Sequence, residues 1–224
     1  MSEELDRATV ELLGALAYGQ LRSFETTART IPLAPDTRIA DQVASFAVEE
    51  HGRYVQLRDQ LARRTELAVA VIDRQRAHFD AYFDRAPLDD WFGASVFFAL
   101  GLPIASDFAR AIASALDEET AGVVVAALDR GESEQAALLV LAEQLTDEGA
   151  RARARRLTAD LLGRALTGFQ SVVSQTDALQ VLLTADRRDD ETGEQRVKRL
   201  ALEVMDGHRR RAVELGLEDL DDGS

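Results

Sequence analysis

Glu50 lies in the stretch FAVEEHGRYVQL, residues 46–57, between a second glutamate and a histidine. Carboxylate and imidazole are the donors with which helical proteins hold iron, manganese or zinc. Their spacing decides whether they can act together. Glu50 falls on an apolar stripe made by Ile39, Val43, Phe46, Tyr54, Leu57 and Leu61 in steps of three and four, which turns it inward. Glu25 falls in the same way with Tyr18, Leu21 and Ala28 on a preceding helix. An inward carboxylate must be paired, protonated or bound to a metal. Two of them on adjacent helices suggest a common centre.

Bundles that hold two metal ions use a glutamate from each of two helices and a Glu-x-x-His pair from each of two others, because residues three apart share a face. His51 follows Glu50 directly and points about 100° away from it. The residue three beyond Glu50 is Arg53, and no acid-x-x-His pair occurs in either order anywhere in the chain. His51, His78 and His208 therefore read as surface or internally satisfied residues, and Glu49-Glu50-His51 is not half of a metal site as it stands. There is no cysteine and no Gly-x-Gly-x-x-Gly. That excludes thiolate chemistry and gives no phosphate-binding loop. Ser133 and Ser171 have no persuasive histidine, and Trp91-Phe92 with Phe97-Phe98 reads as core.

The elements that must position these residues are helices. Ala, Leu, Arg and Glu dominate, and no segment shows the alternation of a strand. The first helix is expected over 6–30, stopped by Pro32 and Pro35. Asp36 caps a second helix running to about Arg64. Further helices are expected over 66–82, over 91–116 with a kink at Pro103, over 117–146 with a break at Gly131, over 150–183 and over 194–215. Residues 186–193 read as a polar linker. The expected fold is all-α, a helical bundle with additional helices in one domain, 1–215, followed by an acidic, disordered tail, 216–224.

The net charge is −14, and Lys198 is the only lysine. A field of that sign repels phosphate backbones, so nucleic acid is not the expected partner; Arg151–Arg156 and Arg209–Arg211 read as solvated faces. The acidic N-terminus lacks the pattern of a secretory signal, and the longest apolar runs fall short of the roughly 20 residues that span a bilayer. The expected location is cytoplasmic, with no membrane.

The blocks LLGALAYGQLRSFE (12–25), FAVEEHGRYVQLRDQLA (46–62), DDWFGASV (89–96), SDFARAIASALDEET (106–120) and LLGRALTGFQ (161–170) resemble, in this order, ferritin-like proteins of actinobacteria. These are grouped with the non-haem di-iron hydroxylase of 2-methylthio-isopentenyl-adenosine in tRNA. The resemblance covers residues 5–215 and implies a ferritin-like bundle with a dinuclear iron site. Carried onto this chain, it puts ligands at Glu25 and Glu50. It sets Arg53 where the first histidine belongs and Gly93 where a glutamate belongs. The second acid-x-x-His pair falls on Asp129-Arg-Gly-Glu132, and a further acid falls on Arg164.

An arginine cannot act as a ligand, so the centre reads as degenerate and metal-free, with no cofactor. The expected protein is a pseudo-enzyme with a structural or binding role, whose partner is a protein or a small molecule, and a homodimer is plausible. In place of metal, Arg53 is expected to form a buried ion pair with Glu25 or Glu50, joined by Arg164. The alternative is a divergent di-iron or di-manganese oxygenase using Glu25, Glu50, Asp129 and Glu132.

Overall fold

A computed structural model describes residues 3–113, 115–175, 177–185 and 192–217. The first long helix, α1 (Glu3–Thr30), opens with Glu3, Glu4 and Asp6 at its positive end. A 3₁₀ turn over Ile31–Leu33 carries the chain round. The second, α2 (Thr37–Ala62), begins where Asp36 accepts a 2.8 Å hydrogen bond from the Ile39 amide. The two run antiparallel, since Arg64, just past the end of α2, reaches Asp6 at the start of α1 at 2.7 Å. They form the most extensive helix pair of the bundle.

Three of the expected long helices are divided in the structure, one of them at the expected Gly131, and a fourth changes its winding without a break. The segment 66–82 is two short helices, α3 (Ala68–Arg74) and α4 (Arg76–Phe83). The segment 117–146 divides into α7 (Glu118–Leu128) and α8 (Gly131–Ala142), and Gly131 at φ +33° makes the turn a residue with a Cβ would resist. The segment 150–183 is α9 (Glu148–Gln175) followed by α10 (Asp177–Ala185). The kink placed at Pro103 arises instead one turn earlier. Asp90 caps α5 (Trp91–Val96), Phe97–Gly101 forms a π turn, and Pro103 occupies the first position of α6 (Pro103–Ala113), where it needs no amide partner. The Tyr82 hydroxyl donates to the Gly101 carbonyl at 3.1 Å, and His208 Nδ1 donates to the Leu100 carbonyl at the same distance.

Residues 91–113 form one continuous helical stretch that is long and apolar enough to cross a membrane by length and composition, although no run of consecutive apolar residues suggested it. About 65% of its most apolar window is buried inside the bundle. Core packing accounts for that composition.

Around the α1–α2 pair, α3, α4 and α10 pack on α1, α7 packs on α2, α6 on α7 and α11, and α9 on α4. The last helix, α11 (Gly193–Glu214), starts from a reciprocal cap between Thr192 and Gln195. It ends at Gly216, whose φ of +64° lets the Leu217 amide reach the Ala212 carbonyl at 2.9 Å. Leu217 is buried in the core with Leu161 and Leu141, so the bundle runs past the expected boundary at 215. Residues 186–191 of the linker and 218–224 of the acidic tail lie outside the described residues.

Candidate functional site

Glu50 is fully buried. Its apolar neighbours along α2, Val43, Ala47 and Leu57, are buried with it, so the stripe that turned it inward is real. The facing part of α1 is polar: Ser23, Thr26, Thr27 and Thr30 are all buried.

The principal partner of Glu50 is Arg130. Its Nη1 donates to Glu50 Oε1 in a short, charge-assisted contact, and the arginine is 7% exposed. Arg130 is placed by the break between α7 and α8, where its carbonyl accepts from the Ser133 amide at 2.9 Å and the Ser133 hydroxyl at 2.7 Å. Arg53, one turn along α2, adds a longer contact, Nη1 to Glu50 Oε1 at 3.4 Å, and turns its other nitrogen to Glu49 at 3.3 Å. Two carboxylates and two guanidiniums thus form a neutral group with its centre sealed from water. Glu50 Oε2 and Arg130 Nε are buried without a hydrogen-bond partner among the described residues. Beside them is a void of about 20 Å³, lined by Thr27, Ser95, Arg130 and Ser133, with room for about one water molecule.

The other expected members of the site are elsewhere. Glu25 is on the exposed side of α1, salt-bridged to Arg22 at 2.8 Å and to Arg29 at 3.9 Å. The expectation of an inward Glu25 beside Glu50 is therefore wrong. The buried residues of this part of α1 are Ser23, Thr26, Thr27 and Thr30, and Glu25 stands roughly 100–160° away from each of them on a 3.6-residue turn. Tyr18 is buried two turns earlier, but by Glu25 the buried face of α1 has become polar and gives no apolar signal. Asp129 is exposed and accepts from the Gly131 amide at 3.1 Å, and Glu132 is exposed in the first turn of α8. The four carboxylates of the oxygenase alternative do not converge, which removes that alternative's ligand set.

Arg164 does not join the Glu50 network either. It is held by Asp160 one turn back on α9 and donates to the Arg85 carbonyl. Gly93 is buried, and a Cβ there would stand 2.1 Å from the Pro87 carbonyl oxygen. No side chain fits, so a glutamate could not project from this position without moving the 87–90 loop.

Sequence reasoning missed Arg130, although it stood inside the quoted Asp129-Arg-Gly-Glu132 stretch. The residue that follows the buried Val124, Ala127 and Leu128 into the core is the arginine, while Asp129 and Glu132 on either side of it are exposed. His51 is exposed and stacks edge-on against Phe24 at 5.2 Å. His208 is more than a satisfied residue. It is buried beside a second ionic group in which Arg211 reaches Asp107 at 2.5 Å and Glu134 at 3.4 Å. Burial, reinforced by the Arg211 charge, holds its pKa down to about 4.

These residues do not fit a dinuclear metal centre. Such a centre needs several anionic or imidazole donors facing one point, and Glu50 faces two guanidiniums. Among the described residues no group of three or more His, Asp or Glu side chains is placed to hold an ion.

The class of protein is an all-α helical bundle with a buried, charge-balanced centre between its long helices. The chain belongs to the family described as "Ferritin-like domain, actinomycetes", whose model matches residues 3–186. No curated protein matches it.

Proposed function

We propose that this is a metal-free ferritin-like protein, descended from a di-iron hydroxylase of the kind that acts on tRNA and retained for a binding or structural role. The observation that supports it is the Arg130–Glu50 contact. A guanidinium cannot lose its proton in a protein, and here it sets a fixed positive charge against Glu50 Oε1, which opposes a cation at the same carboxylate. Arg53 adds positive charge on the same side. Gly93 removes a further acid that the hydroxylase-like pattern supplies, and the close approach of Pro87 keeps it out. With its charges balanced internally, the centre ties α2 to the α7–α8 break, which supports a structural role over a catalytic one.

The test is metal loading. The purified chain is incubated with Fe(II) or Mn(II) under anaerobic conditions, desalted, and its metal content measured. The reading predicts retained metal far below one ion per chain, unchanged by Glu50→Gln. Stoichiometric metal that is lost on Glu50→Gln would overturn it.

A further inference from the structure

A cavity larger than the void at Glu50 is found elsewhere in the bundle. It lies among α1, α4, α6, α9 and α10, and holds about 170 Å³. An engineered cavity of about 150 Å³, lined by Leu, Ile and Phe in another protein, stays dry and binds benzene. This one is built into the natural sequence. Small residues from three helices hold it open: Ala15 and Gly19 on α1, Ala105 on α6, Ala165 and Gly168 on α9. Interiors otherwise pack with few voids larger than a water, and unfilled apolar space weakens a fold. Phe79, Phe108 and Phe169 supply the flat walls, the last two edge to face at 5.5 Å.

The polar groups on the lining define what the cavity takes. Its two charged residues are already neutralised: Glu11 by Arg74 at 2.6 Å, with Gln75 adding a hydrogen bond at 2.9 Å, and Arg164 by Asp160. Neither is free to select an ion. The Tyr82 hydroxyl donates to Gly101. Of the remaining polar lining residues, Ser23 and His78, it is His78 whose Nδ1 is buried with no hydrogen-bond partner among the described residues. A buried imidazole nitrogen without a partner is costly, and a ligand hydroxyl or carbonyl would satisfy it.

We infer that the cavity binds a compact, uncharged, mainly apolar molecule of one or two rings, whose single hydroxyl or carbonyl is held by His78 Nδ1. This site is separate from the Glu50 centre and stands whether or not that centre takes metal. The probes are p-cresol, toluene and benzoate, titrated by calorimetry and by chemical-shift changes of the full chain. p-Cresol and toluene bind saturably and benzoate does not. His78→Ala weakens p-cresol roughly 3- to 10-fold, the worth of one hydrogen bond, and leaves toluene unchanged. Ala165→Phe fills the cavity and abolishes both. Should that variant fail to fold, Ala105→Met fills it from another helix. Failure of both neutral probes to bind, equal binding of benzoate, or binding that survives a folded cavity-filling variant overturns the inference.

Discussion

The Glu50 centre and the cavity beside Phe79 share helix α1 and have been treated in opposite ways. The cavity faces Leu12, Leu16 and Gly19, while Thr27 nearer the C-terminal end faces the void beside Arg130. At the centre charge is high and space is scarce, since about 20 Å³ remains once Arg130 is in place. At the cavity space is ample, and the charged lining residues Glu11 and Arg164 are paired within the protein. A ferritin-like bundle has room between its helices for ions, side chains or a ligand. Here arginine has closed the part that faces Glu50, and small residues have opened another. The difference teaches that buried charge and open space are separable in one bundle, because each depends on a different handful of side chains.

The comparison is broken most forcefully at Arg130. Arg130→Met leaves Glu50 buried beside only the longer Arg53 contact, and should cost about 3–5 kcal/mol, read from denaturant unfolding. The next effect lies in the second ionic group and depends on pH. Unfolded, His208 titrates near the ordinary 6.5; folded, near 4. The unfolded chain therefore takes up the proton first as pH falls. The stability this group contributes is complete above about pH 6.5, declines between there and about pH 4, and declines no further below it. The amount is on the order of 3 kcal/mol. His208→Asn keeps a donor toward the Leu100 carbonyl and should flatten that window relative to the parent chain.

A smaller effect separates the two arginines of the centre. Arg53→Ala keeps the short Arg130 contact and should cost about 1 kcal/mol or less, which marks Arg53 as the secondary partner. The smallest belongs to Glu25, whose side chain is 46% exposed. Glu25→Ala should stay within about 0.5 kcal/mol by thermal unfolding. A larger loss would mean that Glu25 faces inward after all.

The helical class, the cap at Asp36 and the inward turn of Glu50 were legible in the sequence, because each rests on a local pattern of three or four residues. The breaks at residue 75 and within 97–101 were not. No proline or glycine marks the first, and the π turn is held by carbonyl contacts from Tyr82 and His208, which are distant in sequence from each other. Glu25 was misplaced because the buried face of α1 there is made of serine and threonine, so hydropathy gave the wrong direction. Arg130 was passed over because a charged residue at a helix break reads as solvent-facing unless its partner across the bundle is known. The cavity could not be read at all. It depends on small residues from three helices meeting in space, and no stretch of sequence contains them together.

The most direct measurement of the central claim is a double-mutant cycle between Glu50 and Arg130, using Glu50→Gln, Arg130→Met and the pair together in urea unfolding. If Arg130 has taken the place of a cation, the double variant should be much less destabilised than the sum of the singles, with a coupling of roughly 1–3 kcal/mol. Additivity within about 0.5 kcal/mol would contradict it, and would mean that the carboxylate at the heart of this bundle is neutralised by something other than Arg130.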